Sequence, residues 1–465
     1  MRGLTGENHP SVNLPPLPLP TRAEGGEGSR VASGEDGFLV VGRDFNRARF
    51  DPVANSKFMD DRPWAAVDAF ARNLVLGEAC LSSLVAPVDA VDADAGREGK
   101  TSEEMPRLDP ASPCDGEGVD PSGARLRNAR PDPSRKAHRH AYRFSVRYYG
   151  PGFAGWAWRA EDARYFAATK RGGGDDDASV RRDESERAWS VGAFSAAAAT
   201  QSALAPLFAN DKTRPLWCAG RTDRGVHGLA QTVSFVTAND LEADPATPFR
   251  ETVERLVSSS PAGRLGHLRV VKEPPPRKAH AKFHATFCAT WRRYVYVFPK
   301  RQSMREARTP ERDVDVGLLN EMLGELVGAS AARRGESAPR GVDCYAFARD
   351  TVEGKGSRVV FRVARAFEGR VPSAAPLEER RESTGRASAF EDVIVVELVA
   401  DRFLRRLVRV LVATAAREAA TGAAPDVLLA LAAARERAAT AGAAPPSGLF
   451  FAGVGYGDHP EYDEA

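Results

Sequence analysis

The clearest pattern along the chain is alternation. Tyr142, Phe144, Val146 and Tyr148 alternate with Arg143, Ser145, Arg147 and Tyr149, the period of a strand with one buried face. Val233 and Phe235 against Thr232 and Ser234 predict a second half-buried strand. A third sets Trp291, Arg293, Val295 and Val297 against Arg292, Tyr294, Tyr296 and Phe298, so Tyr294 and Tyr296 share a face. Residues 393–400 are almost continuously apolar and read as a buried strand. Weaker runs predict strands over 264–272, over 357–367, and at the end of the chain through Tyr456. Helical spacing predicts helices over 190–208 with Ser190 as cap, over 248–257, over 313–328, and from Pro425 to about Thr440. Strands and helices mix without a regular βαβ repeat, which suits an α+β sheet with helices on one face.

Polarity also marks the boundaries. Residues 1–135 form an acidic leader rich in Pro, Gly, Ser and Glu, whose default is disorder. Its apolar clusters at 37–50 and 57–86 are enough for a strand and a helix. Ordered structure is expected over 140–300 and 301–457, with polar loop insertions at 160–188 and 372–390 and a tail at 458–465. The leader carries 16 basic and 22 acidic residues; the rest carries 49 and 41. A basic body behind an acidic leader suits a polyanionic ligand. The five cysteines are widely spaced with no C-x-x-C pair, so neither zinc nor a disulfide framework is indicated. No run approaches the ~18 apolar residues of a membrane span, and the start lacks a signal-peptide pattern. A soluble, reducing, intracellular setting is expected, with cytoplasm, nucleus and organelle all open. The Asp175-Asp176-Asp177 run reads as a solvated insertion rather than a metal site, because consecutive carboxylates cannot all face one ion.

Candidate chemistry concentrates in Cys218-Ala219-Gly220-Arg221-Thr222-Asp223-Arg224-Gly225-Val226-His227-Gly228, a polar loop that feeds the second strand. Gly220 and Gly225 have the spacing of a phosphate loop, but Val226 and His227 stand where Lys and Ser/Thr are required. Asp223 could simply cap a turn and pair with a neighbouring arginine. Alternatively it is a lone catalytic carboxylate. Near the C-terminus, Asp401 is placed to cap a helix through Val412. Leu404, Leu407, Val408 and Leu411 would line one side of it, and Arg402, Arg405, Arg406 and Arg409 another. Such a cationic face is solvated, or answered by RNA phosphate or a carboxylate.

Several of these stretches resemble one family. Gly-Arg-Thr-Asp-x-Gly-Val-His-Gly followed by Gln-x-Val-x-Phe is similar to the signature loop of the tRNA pseudouridine synthase A family. The strand ending in Tyr149-Gly150 and Gly155-Trp156 resembles its opening. Phe283-His284-Ala285-x-Phe287 with Arg292-Arg293-Tyr294-x-Tyr296 resembles its second motif, and Phe403-Leu404-x-x-x-Val408-Arg409 its third. Asp343-Cys344-Tyr345-Ala346-Phe347 resembles a short aromatic motif of the family, and Ala444-Pro445-x-x-Gly448-Leu449 its ending. The likeness covers about residues 140–457, in the family's order. Leu407 replaces the usual Met, and Arg224 a usually small residue.

The resemblance implies two similar α+β halves forming one large mixed sheet with a central active cleft. It implies isomerisation of uridine to pseudouridine in tRNA, with anticodon-arm uridines favoured by the Val-His-Gly wording, and with no cofactor or metal. Asp223 would be catalytic, Tyr294 would stack on or bond the uracil, and Arg409 would pair with Asp223. Arg221 would fill the gap left by a flipped base or grip phosphate. Arg224, His227, Arg402, Arg405 and Arg406 would join it in holding tRNA. Bacterial members are dimers, so a homodimer is a further expectation. The competing reading is a tRNA-binding or folding protein on the same fold without turnover.

Overall fold

The alternating runs pair into one nine-stranded sheet. Its long strands are β1 (His140–Tyr148), β2 (His227–Thr237), β3 (Trp291–Pro299), β4 (Phe361–Pro372), β5 (Phe390–Ala400) and β6 (Leu449–Gly455). The computed structural model describes residues 57–84, 139–163, 191–208, 216–301, 313–331, 339–349, 351–352, 356–374 and 389–456, plus a two-residue ladder of Ala32–Ser33 with Leu39–Val40. Most of the two expected loop insertions, including Asp175–Asp177, lies outside the described residues.

The strand order is β4-β5-β3-β6-β2-β1, followed by the short strand Leu268–Val270. All neighbours along it are antiparallel except β6 and β2, which run parallel through Phe450↔His227 and Phe451↔Gly228. The last strand in sequence is therefore the seam. It joins the β1–β2 side, built early in the chain, to the β3–β5 side, built later. The architecture is a large mixed sheet with helices.

Strand pleat sorts the side chains. On one face, Tyr142, Phe144, Val146, Val233 and Phe235 pack with α2 (Ala196–Ala203) and α3 (Phe249–Ser259). On the same face, Tyr294, Tyr296, Phe298, Ile394, Val396, Leu398 and Phe451 pack with α4 (Val316–Ser330), α5 (Leu407–Ala420) and α6 (Val427–Ala434). Two helical groups thus stand side by side, one over each side of the sheet.

The other face is not left open. Helix α1 (Ala65–Leu76), from the leader, lies across it. Ala66, Val67, Phe70, Ala71, Leu74 and Val75 bury against Leu229 of β2, Val295 and Val297 of β3, Val393 and Val395 of β5, and Phe450 of β6. The expectation of helices on one face alone is corrected here: the inward residues of three central strands are apolar on both sides, so both sides need a cover. Residues 57–84 of the leader are accordingly a packed part of the structure. Arg62, 4% exposed, donates to the Phe58 and Pro299 carbonyls and to Asp313, and anchors the approach to α1.

Two helix starts and one helix length differ from expectation. Ser195, not Ser190, caps α2, accepting from the Ala198 N–H at 3.1 Å; Ser190 lies outside the described residues. Asp401 caps no helix: its carboxylate accepts from the Val360 N–H at 2.8 Å, a cross-strand partner invisible in local sequence. Helix α5 instead begins at Leu407, after Arg406 in the left-handed region at φ 59°. The final helix is also shorter, with α6 followed by a 3₁₀ turn over Arg437–Ala439.

Truncating Phe70, the largest α1 side chain in this layer, should cost about 3–5 kcal/mol by cavity formation. Denaturant unfolding of Phe70→Ala in the full chain measures this. A change within experimental error would mean that α1 is not seated on the sheet.

Candidate active site

The polar loop between Cys218 and His227 is held on every side. Ala219 N–H bonds the Thr232 carbonyl at 2.9 Å. The Gln231 side chain accepts from the Gly220 N–H and donates to the Gly220 carbonyl. Thr222 shares a 2.7 Å hydroxyl bond with Tyr148, and its carbonyl accepts from the Trp156 N–H at 3.1 Å. Gly225 takes φ +80°, which lets the loop reverse beside Asp223 and the Val226 N–H return to the Asp223 carbonyl at 3.2 Å. A side chain on Gly150 would collide with the Gly225 carbonyl. The Tyr149-Gly150 corner is therefore the seat on which the loop rests.

Asp223 leaves this loop with its side chain 27% exposed, and meets Arg409 of α5 at 3.6 Å, Nη1 to Oδ2. Arg409 is 15% exposed and is itself clamped. Its Nε donates to the Ala444 carbonyl at 2.6 Å, while the Ala444 N–H bonds the Arg409 carbonyl at 3.1 Å. Burial lowers the guanidinium pKa, and the Asp223 charge acts against that shift. A guanidinium keeps its proton in any case. The result is a fixed cation beside a carboxylate that still faces solvent, an arrangement that orients the carboxylate.

Tyr294 stands beside the pair. Its ring makes edge contacts with Phe403 at 4.8 Å and Phe451 at 5.2 Å, and its hydroxyl makes no hydrogen bond among the described residues. Burial, then the neighbouring Tyr148 and Asp223, raise its pKa, so the phenol stays protonated as a hydrogen-bond donor. Tyr296 shares the face but spends its hydroxyl on the Pro445 carbonyl at 2.8 Å. The expected trio of Asp223, Tyr294 and Arg409 is brought together.

The arginines fare unevenly. Arg221 and Arg224 are exposed, and their side chains form no hydrogen bond or ion pair among the described residues. The expected stripe of Arg402, Arg405, Arg406 and Arg409 does not form, because the first three precede the helix. Arg402 folds back to the Arg358 carbonyl, with bonds of 2.9 and 2.7 Å, while Arg405 and Arg406 are exposed in the turn.

His227 is corrected outright as an RNA contact. It is fully buried, on the α1 face of the sheet. Gly150 N–H donates to Nδ1 at 3.1 Å, which places the ring proton on Nε2 for donation to the Ser447 carbonyl at 3.1 Å. The ring stacks on Phe450 at 5.0 Å. Burial pushes its pKa down to about 4. The signal for this role was present in sequence only as alternation: His227 belongs to β2, and its neighbours are set by Ser447, 220 positions later, and by the strand that follows it.

Sequence reasoning passed over Arg292. Its guanidinium donates to four carbonyls: Ala219 at 3.2 Å, Ala289 at 3.0 Å, Asp401 at 2.6 Å and Thr286 at 2.7 Å. It thereby ties the Asp223 loop to the segment leading into Phe403 and α5. The pleat directs Arg292 to the same face as Tyr294. Arg293 goes to the reverse face, where Glu397 takes both Arg293 and Arg365 at 2.6 Å.

A mixed sheet with a guarded carboxylate at the junction of two helical groups defines an α/β protein with an enzyme-like site. A comparison with protein-family models finds no match. Curated relatives do match. The tRNA pseudouridine synthase A of Jannaschia sp. is 30% identical over 272 residues, covering 57% of this chain and 87% of that protein. That of Polaromonas sp. is 30% identical over 264 residues, covering 56% and 83%. That of Chlorobium luteolum is 29% identical over 246 residues, covering 52% and 79%. The chain belongs to the tRNA pseudouridine synthase A family.

The buried His227 makes stability pH-dependent. An unfolded histidine titrates near 6.5, so only the unfolded chain takes the proton between about pH 6.5 and 4. Its contribution is complete above that window and is lost as pH falls through it, by about 3 kcal/mol. His227→Gln keeps a donor and an acceptor without titrating. Denaturant midpoints from pH 7 to 4 should fall less steeply in this variant than in wild type; parallel curves would mean the ring is not held neutral.

Proposed function

We propose that this chain isomerises uridine to pseudouridine in tRNA, with Asp223 as its catalytic carboxylate. The observation that carries the reading is the Asp223–Arg409 pair, a partly exposed carboxylate held at 3.6 Å from a clamped guanidinium. The reaction breaks the N1–C1′ glycosidic bond, rotates the uracil and joins C5 to C1′; the C5 proton leaves to solvent and N1 takes one up, so the product is an isomer of the substrate. It needs a carboxylate as nucleophile or base, and Arg409, 3.6 Å away, aims Asp223 for that task. Tyr294 presents a protonated hydroxyl and a ring edge to the uracil. In this reading residues 140–300 and 301–457 make two similar halves, except that β3 (Trp291–Pro299) stands in the sheet with β5 of the second, and the junction between the halves is the active cleft.

A uridine within a stem must leave the stack to reach Asp223. Arg221, exposed two positions before Asp223, fills its place or grips the adjacent phosphate. Arg224, Arg405 and Arg406, all exposed, add phosphate contacts. The substrate uridines lie in the anticodon arm. The competing reading, a tRNA binder without turnover, leaves the Asp223–Arg409 geometry without a task.

Tritium release from unmodified tRNA labelled at uracil C5 tests this. Wild type should release tritium, and Asp223→Asn should lose roughly 10³-fold or more of the rate while still binding tRNA. Arg409→Lys keeps the charge but loses the bond to Ala444, and should lower kcat by about 10²-fold. Equal release by wild type and Asp223→Asn would remove Asp223 from the chemistry. Tight binding with no release by either would favour the binding-protein reading.

A further inference from the structure

Three stacked rings stand where the Asp223 loop begins. Trp217 and His284 stack with ring centroids 4.7 Å apart and planes at 29°. His284 and Phe287 follow at 4.3 Å and 36°. The stack is fixed from below. His284 Nδ1 accepts from the N–H of Thr286 at 3.1 Å and of Phe287 at 3.4 Å. The Thr286 hydroxyl donates to the Cys218 carbonyl at 2.5 Å, and the Thr286 carbonyl takes Arg292. Trp217 itself is pinned in a short strand opposite Ser234.

The outer ring has no cover. Phe287 is 47% exposed, although a phenylalanine in a built aromatic stack ordinarily closes a core. Two cations flank the stack in the chain, Lys282 and Arg221. Both are exposed, and neither side chain forms a hydrogen bond or ion pair among the described residues. A rigid ring open to solvent, with unpaired cations close by in the chain, matches a single-stranded nucleotide, whose base has a π-face and whose backbone is anionic. Trp217 lies six positions before Asp223, so at most about 20 Å of chain separates the stack from the carboxylate.

We propose that Trp217, His284 and Phe287 form a stacking platform for an unpaired base of the RNA substrate, with Lys282 and Arg221 holding its phosphates. The proposal rests on the tRNA reading above and adds a second point of grip outside the reacting nucleotide. Phe287 extends the stack by one ring, and the RNA base extends it by another. The cations draw the strand in without reading its sequence.

The test uses the full chain with unmodified tRNA, by filter binding across a salt series and by tritium release. Phe287→Ala should weaken Kd and raise KM about tenfold, with kcat and the salt slope unchanged. Phe287→Trp should restore both constants. Lys282→Ala should instead reduce the salt slope by about one. Unchanged Kd and KM in Phe287→Ala would overturn the platform. So would a fall in kcat alone, which would make the ring a prop for the catalytic loop. So would a change in molar mass by light scattering with Kd intact, which would mark the patch as an interface between copies of this chain. Wild type that binds without releasing tritium would defeat the isomerase reading, while the binding arm would still judge the platform.

Discussion

A carboxylate half removed from water needs a cation at its side, and in this protein the two partners come from opposite sides of the sheet. Asp223 rides on the loop before β2, and Arg409 on α5, more than 180 positions later. Neither side can position the pair alone. The seam strand β6 must dock parallel to β2 and antiparallel to β3 before the loop and the helix meet. The segment just ahead of β6 carries Ala444, which clamps Arg409, and Ser447, which takes His227. Closing the seam therefore sets both the ion pair and the buried histidine behind it. Preorganisation of this kind fixes the carboxylate beside its cation without solvent having to reorganise around the pair.

Arg292 and His227 are the fixed points around the pair. Arg292 gathers carbonyls from segments that would otherwise be free to separate, and its planar fork suits several acceptors at once. His227 does the opposite work on the reverse face, joining the Gly150 corner to the Ser447 turn as a neutral ring. One is charged and sits near the site; the other is kept uncharged by burial. Both convert loop backbone into a rigid seat. The aromatic stack at Trp217 grows from the same seat, because Thr286 links it to Cys218 and to Arg292.

The reverse face explains why part of the acidic leader is folded. Val295, Val297, Val393, Val395 and Phe450 project away from the helices of the first face. Left uncovered, they would present a continuous apolar surface to water. Helix α1 removes it, and the Asp68 carboxylate accepts from the Tyr149 hydroxyl at 2.8 Å, linking this cover to the corner under the loop. Beyond the reach of α1, the same face switches to charge, and buried Glu397 is satisfied by two arginines. Breaking such a set would be costly, since one partner would remain buried and unpaired.

Local pattern determined much of this protein. The period-2 runs identified β1, β2 and β3, and the apolar run over 393–400 identified β5, because a pleat exposes alternate residues whatever the partner strand is. The wording of the motifs located Asp223, Tyr294 and Arg409, and the pleat of β3 put Tyr294 on the face it occupies. Tertiary structure decided the rest. His227 has the composition of a polar loop residue but the surroundings of a core, and only the arrival of β6 buries it. Asp401 has the position of a helix cap, but a free backbone N–H at Val360 competes for it and wins, so the helix starts later and the arginine stripe dissolves. Arg292 looked like any cation beside a tyrosine until distant carbonyls converged on it. Periodicity and capping are written in neighbouring residues; hydrogen-bond partners and burial are supplied by segments that sequence places far away.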